Sequence, residues 1–362
     1  MSEINTIYMQ RALELAESVL GNTYPNPAVG AVIVRDNKII GEGATQPPGH
    51  RHAEIVAMDT ARESLDNAAM YVTLEPCCTT GRTPPCTEAI IRSGITSVVI
   101  ACRDPNPAVN GNGIKALRAA GIRVHTGLLQ DEAHALIEWF TKYTTTHIPY
   151  VTLKTAISLD GKITVNKEAS QYLTGEKGLE WVHTMRKQIG AVAVGRKTFE
   201  TDNPYLTVRR THIKTQPYRI VFTTQCDLPT DAHIFSNNDN RVIIVTTQCS
   251  NHKQYANKAH IIITKKHNGR VDITDALQQL GKMGIPHIML EGGSELIASF
   301  LKENAIDRVF LLITPVFIGK KDALPLIADE GISAMSSMPR LSRINTKIIG
   351  DDIMISGYIN QY

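Results

Sequence analysis

Aromatic residues are scarce, at 6% with only two tryptophans, and no uninterrupted apolar run approaches the roughly 18 residues of a membrane span. Charge of one sign is missing too. The net charge is +3 and its basic residues are scattered, without the dense Lys/Arg patch of a nucleic-acid binder. The six cysteines follow no framework spacing, which argues against a disulfide scaffold and for metal ligands or packed thiols. Internal repeats and low-complexity tracts are absent. The opening MSEINTIYMQRALELAESVL lacks a basic segment followed by a continuous apolar run, so a cytoplasmic location is expected. What remains is a 362-residue chain, 43% hydrophobic and 20% charged, long enough for two cores. It reads as an α/β enzyme acting on a small molecule, with no nucleic-acid or membrane partner.

Apolar spacing predicts a helix over 7–20, ended by Gly21, then strands Val29–Val34 and Lys38–Gly43 joined at Asp36-Asn37 as a hairpin. Helices at Ala53–Leu65, Thr87–Ser93 and Ile114–Ala120 alternate with strands at Tyr71–Leu74, Ser97–Ala101 and Arg123–His125, a mixed or parallel sheet between helices. The polar, Thr-rich Lys142–Pro149 reads as a linker, giving domains 1–146 and 147–362. Beyond it come β-runs at Val151–Ala156, Ala191–Val194, Arg219–Phe222, Val242–Val245, Ile261–Ile263, Ile288–Leu290 and Arg308–Ile313. Helical patterns at Glu176–Lys187, Ile273–Met283 and Ser294–Glu303 fall among them, as in a second α/β sheet.

The chemistry-bearing residues of the first half are His52-Ala53-Glu54, Pro76-Cys77 and Cys86. A catalytic zinc takes three protein ligands and keeps one position for water. His52, Cys77 and Cys86 suit that set, and Glu54 can lie beside the metal as a proton carrier. Zinc nucleobase deaminases carry such an H-x-E…P-C order with two residues between their cysteines, whereas eight intervene here. Cys78 is not expected to ligate, because adjacent cysteines rarely share one ion without strain. Cys102, Cys226 and Cys249 read as packed thiols, and His50 and His125 as surface histidines.

With these residues, TYPNPAVGAVIV, TLEPC…GRTPPC and DPNPAVNGNG resemble the deaminase half of the bifunctional riboflavin-biosynthesis deaminase/reductases, and the resemblance runs from about residue 8 to about 358. It implies a cytidine-deaminase-like α/β/α sandwich followed by a dihydrofolate-reductase-like α/β domain. The implied activity is zinc-dependent deamination of 2,5-diamino-6-ribosylamino-4-pyrimidinone 5′-phosphate, then NADPH-dependent reduction of the ribosyl group. By motif, Asn26 falls on a pyrimidine contact, and Arg82 is a plausible phosphate contact. The chain departs from the pattern at Gly43-Ala44-Thr45 and Cys77-Cys78-Thr79, where the family writes histidines at positions expected to face the substrate.

In the second half, SLDG at 158–161, Gly195-Arg196-Lys197-Thr198 and Glu291-Gly292-Gly293-Ser294 each follow a predicted strand. The last opens a helix, where free amides and the helix dipole favour a phosphate. The resemblance places Ala156, Tyr172, Thr198, Asp202, Thr224, Gly293, Ser294, Glu295, Leu296, Ile297, Ala298 and Ser299 on cofactor positions. It places Ser170, Arg186, Leu206, Arg209 and Glu291 on substrate positions. Arg186 and Arg209 suit a phosphate because guanidinium binds it bidentately. No acid or base of this half is identifiable from sequence. A homo-oligomer, dimer or tetramer, is expected. The alternatives are a reductase whose zinc domain is only a scaffold, or the same chemistries on a related pyrimidine.

Overall fold

The computed structural model describes residues 5–80, 84–165, 173–328 and 338–359. The chain divides into two compact units, Met1–Thr146 and His147–Tyr362.

The first unit runs α1 (Thr6–Ser18), β1 (Gly30–Arg35), β2 (Lys38–Ala44), α2 (Ala53–Asp59), β3 (Ala69–Leu74), α3 (Cys86–Arg92), β4 (Ser97–Cys102), α4 (Asn112–Ala119), β5 (Arg123–Thr126) and α5 (Gln130–Thr146). Its sheet has the order β2-β1-β3-β4-β5, antiparallel across β2-β1-β3 and parallel from β3 to β5. Asp36 and Asn37, both with positive φ, form the β1–β2 turn as their side chains permit. Helices α1 and α5 pack together, and α2 touches β1, β2 and α3. The apolar strand residues Val32, Met70, Val72, Val98 and Ile100 are fully buried.

Two sequence expectations change here. Helix α2 stops at Asp59 instead of Leu65, because Thr60 leaves the helix to bond Glu42 through its hydroxyl and Arg62 donates to the Ile40 carbonyl. The predicted linker is helical as far as Thr146: the Thr145 and Thr146 hydroxyls bond carbonyls one turn back, at Thr141 and Lys142.

The second unit contains β6 (Tyr150–Ile157), β7 (Lys162–Thr164), α6 (Glu176–Ile189), β8 (Ala191–Gly195), α7 (Arg196–Asp202), β9 (Tyr218–Phe222), β10 (Val242–Thr246), β11 (His260–Ile263), β12 (Lys266–His267), β13 (Arg270–Val271), α8 (Ile273–Lys282), β14 (His287–Leu290), α9 (Ser294–Lys302), β15 (Arg308–Ile313), β16 (Leu324–Pro325), β17 (Leu341–Ile349) and β18 (Asp352–Ile359). Nine strands form one sheet in the order β11-β10-β9-β8-β14-β6-β15-β18-β17. It is parallel from β11 to β15 and antiparallel across β15-β18-β17. One face packs on α8 and α9 through Leu277, Leu280, Ile297 and Phe300, and the other on α6 and α7 through Val182, Ile189 and Phe199. Parallel strands leave their carboxyl ends open to loops, the usual place for a ligand crevice.

Cys226 and Cys249, expected as packed thiols, are bonded to each other across the loops that follow β9 and β10. Both strands are parallel neighbours, so the turns after them arrive side by side. Cys102 is a buried thiol that donates to the Thr73 carbonyl.

Candidate functional site

In the first unit, His52 stands immediately before α2, Cys77 lies just past β3, and Cys86 opens α3. One ligand atom from each lies within 4.8 Å of the others. The His52 Nδ1 is 3.5 Å from the Cys77 Sγ and 3.3 Å from the Cys86 Sγ, and the Cys86 amide donates to the Cys77 Sγ at 3.3 Å. Hydrogen bonding with Cys86 and His52 lowers the Cys77 thiol's pKa, while the same Cys77–Cys86 bond and burial push Cys86 up. A divalent ion would replace that shared proton and hold both sulfurs as thiolates. The donor set, one imidazole nitrogen and two sulfurs, fits zinc with a position to spare. Cys78 is not part of this cluster.

Glu54 sits in the first turn of α2, 4% exposed. Burial, assisted by the neighbouring Cys77 thiolate, raises its carboxyl to about 7, so it gains and loses a proton near neutrality. Asn26 lies in the turn before β1, held by reciprocal bonds between Thr23 and Asn26. The expected substrate-facing Thr45 is buried instead: its hydroxyl accepts from the Val29 amide at 3.1 Å. Thr79 and His50 are exposed.

Glu75, unnoticed as a residue with a task, organises this end of the sheet. Its Oε1 accepts from the Ile114 amide at 3.0 Å, and its Oε2 from Gly111 at 2.9 Å and Asp104 at 3.3 Å. It thereby ties the segment DPNPAVNGNG to the end of β3, two residues before Cys77. Gly113 must be glycine there, since a Cβ would lie 2.2 Å from the Pro76 carbonyl oxygen.

In the second unit the expected positions gather at the carboxyl ends of the parallel strands. Ala156 ends β6, Thr198 lies in the first turn of α7 after β8, Thr224 follows β9, and Gly293 precedes α9 after β14. A Cβ on Gly293 would stand 3.1 Å from the Thr198 hydroxyl, so these two loops meet. The start of α9 fits a cofactor phosphate: Gly293, Ser294 and Glu295 present the first turn, and Gly292 allows close approach. Leu296 packs over Gly195 and Gly292. Ile297 and Ala298 are buried on the inner face of α9, and Ser299 accepts from Arg270 a turn further on. Asp202 closes α7 on the surface. Arg82, Ser170 and Tyr172 lie outside the described residues.

Arg186 and Glu291 face each other, joined by two bonds of 2.7 and 3.0 Å, and Arg186 also donates to the Thr207 carbonyl. Burial works to raise Glu291, but the guanidinium outweighs it and brings the carboxyl to about 2. Arg209 is exposed, its guanidinium 5.1 Å from the Tyr205 ring centre and its amide bonded to His183. Burial and the three arginines 186, 209 and 210 bring His183 down to about 4, leaving it neutral. Leu206 is buried with φ +51° beside them.

The residue that sequence reading passed over in this half is Lys154. Leu153 pairs with Leu290, so Lys154 stands next to Glu291 on the adjacent strand. Burial lowers its ammonium pKa, against the opposing pull of Glu291. The signal was available, since a lysine in a central parallel strand is uncommon, and here it is half-buried.

One unit thus carries a His/Cys/Cys centre with an adjacent acid, the class of zinc-dependent deaminases; the other is a largely parallel α/β sheet whose strand-end loops meet at Thr198 and Gly293. Residues 2–102 match the cytidine and deoxycytidylate deaminase zinc-binding region, and residues 149–355 match the RibD C-terminal domain. The riboflavin biosynthesis protein RibD of Aquifex aeolicus is 39% identical and that of Actinobacillus pleuropneumoniae 41%. They align over 98% and 96% of this chain and 98% and 93% of their own. The structure of Acinetobacter baumannii RibD superposes with a TM-score of 0.88 at 33% identity, covering 98% of this chain and 99% of that one. A diaminohydroxyphosphoribosylaminopyrimidine deaminase/5-amino-6-(5-phosphoribosylamino)uracil reductase from Thermotoga maritima gives 0.87 at 35% identity, covering 98% of each chain. The chain belongs to the RibD family of bifunctional riboflavin-biosynthesis enzymes, which join a zinc-dependent deaminase to an NADPH-dependent reductase.

Proposed function

We propose that Met1–Thr146 deaminates 2,5-diamino-6-ribosylamino-4-pyrimidinone 5′-phosphate and that His147–Tyr362 reduces the ribosyl group of the product. His52, Cys77 and Cys86 hold the zinc, which when bound supplies the Lewis acidity that makes water nucleophilic at neutral pH. Glu54 accepts the proton of the attacking water and returns it to the departing amino group, which leaves as ammonia. The observation that carries this reading is the buried Glu54 carboxylate beside a three-ligand His/Cys/Cys set. A scaffold-only zinc site has no use for that acid. Asn26 orients the pyrimidine.

When bound, NADPH would supply the hydride for reduction of the ring-opened sugar at C1′. Thr198, Thr224, Gly293, Ser294 and Glu295 hold the cofactor along the strand ends. Addition of one hydride to C1′ demands one proton at the attached nitrogen, and we assign its delivery to Lys154, supported by its position beside Glu291 at the strand ends. The Arg186–Glu291 pair fixes the crevice wall, and the exposed Arg209 takes the substrate phosphate.

Among the described residues no helix is long and apolar enough to cross a membrane. We infer a cytoplasmic homo-oligomer, supported by apolar side chains left exposed at Phe317, Ile344 and Ile348, and checked by sedimentation. The functional test is to give the zinc-loaded protein the diaminopyrimidine phosphate with and without NADPH and to weigh the products. Glu54→Gln should keep its metal and lose deamination by about 10²-fold or more, yet still reduce the deaminated intermediate. Unchanged deamination would refute the proton-carrier role.

A further inference from the structure

The loop that carries Arg209 is pinned along its backbone. It runs over 203–217, from α7 to β9, with no helix or strand of its own, yet Leu206, Thr207 and Val208 are buried. Three side chains hold three successive residues. Arg186 donates to the Thr207 carbonyl at 3.1 Å. Gln216 accepts from the Val208 amide at 2.8 Å and donates to the Val208 carbonyl at 3.0 Å. The Arg209 amide donates to His183 Nδ1 at 3.1 Å. His183 and Arg186 are three positions apart on α6, hence neighbours on one face of the helix, and both reach the same loop.

Of these bonds, the one to His183 is made to the residue whose side chain carries the charge. Further out, the Arg209 guanidinium donates to the Thr207 hydroxyl at 3.2 Å and lies 5.1 Å from the Tyr205 ring centre. Backbone and head are therefore fixed separately. His183 is 6% exposed and has no part in the chemistry assigned above. To accept at Nδ1 it must be neutral with its proton on Nε2, because an imidazolium would set N–H against N–H. Burial and the charges of Arg186, Arg209 and Arg210 hold its pKa down at about 4, against the pull of Glu291, so the acceptor persists at neutral pH.

We propose that His183 is a positioning residue of the reductase site, fixing through the Arg209 backbone amide the direction from which the guanidinium meets the substrate phosphate. This rests on Arg209 as the phosphate contact. The competing role is packing alone, a buried α6 side chain under the loop whose loss would loosen the whole crevice.

The test compares reductase kinetics, at saturating NADPH, on the deaminated pyrimidine phosphate and on the same compound with its phosphate removed. His183→Leu keeps a comparable volume and removes the acceptor. It should raise KM for the phosphate compound about tenfold, the scale of one weakened hydrogen bond to a charged group. Its kcat, and its KM for the dephosphorylated compound, should stay near the wild type, as for a loss of uniform binding. His183→Asn, whose Oδ1 can stand where Nδ1 does and accept the same amide, should largely restore KM. Arg209→Ala should erase the preference for the phosphate, and His183→Leu should then add nothing to it. Should His183→Leu not fold, His183→Met, which fills irregular space and is only a weak acceptor, serves in its place. A preference lost in Arg209→Ala but intact in His183→Leu or His183→Met overturns the His183 proposal alone. So does a KM that rises equally on both compounds, or a His183→Asn no better than His183→Leu. A preference that survives Arg209→Ala overturns the Arg209 assignment, and the role of His183 with it.

Discussion

Replacing Glu75 by glutamine changes one oxygen into an NH₂ and nothing in volume. The carboxylate now accepts three backbone amides, those of Asp104, Gly111 and Ile114. A glutamine carbonyl can keep the bonds of only one oxygen, and its NH₂ confronts the remaining one or two N–H groups, donor against donor. Hydrogen bonds to charged groups contribute about 1.5–3 kcal/mol each, and a stranded buried donor costs about 1–3. The first unit should therefore lose about 2–5 kcal/mol, much of the margin of an ordinary domain. The two tryptophans allow a clean reading, because Trp139 lies in α5 of the first unit and Trp181 in α6 of the second. With Trp181→Phe, fluorescence reports the first unit; with Trp139→Phe, the second. Urea unfolding of Glu75→Gln should shift the first midpoint down by about 1–2 M, using typical m-values, and leave the second in place. A first-unit change below about 0.5 kcal/mol, the scale of an inert surface substitution, would refute the reasoning.

Cys77→Ser and Cys86→Ser should lose zinc by metal analysis while Cys78→Ser retains about one per chain; equal loss in all three would refute the ligand set. Reducing the Cys226–Cys249 bond, which spans 23 residues, should cost the second unit about 3 kcal/mol by loop-closure entropy, seen as an earlier Trp181 transition under a dithiol. Arg219 is 1% exposed and bonded to Asp239, so Asp239→Ala should destabilise the second unit by about 2–4 kcal/mol, discounted because Asp239 is partly exposed. Burial tends to raise Asp239, yet Arg219 holds it below 3.8 overall. That stabilisation is present at neutral pH and is lost as the pH falls below 3.8, so the wild type and Asp239→Ala should converge in acid.

The sequence alone determined what is local. His52, Cys77 and Cys86 could be read because His52 and Cys86 sit at helix starts and Cys77 just past a strand, all within short, punctuated segments, and Glu54 because it follows His52 by two residues. The β1–β2 hairpin and the parallel strands of the second unit announced themselves through turn residues and short apolar runs. Only the tertiary structure decided what depends on distant partners. Glu75 and Ile114 are 39 residues apart, Arg186 and Glu291 are 105 apart, and nothing in either neighbourhood announces the other. Strand β17, largely exposed along its length, offers no alternation to read, so the hairpin that buries Asp352 was invisible in advance. Cys226 and Cys249 meet because parallel pairing of β9 and β10 sets their following loops side by side. Side-chain periodicity reports burial along one element, whereas pairing between elements is fixed by the sheet that brings them together.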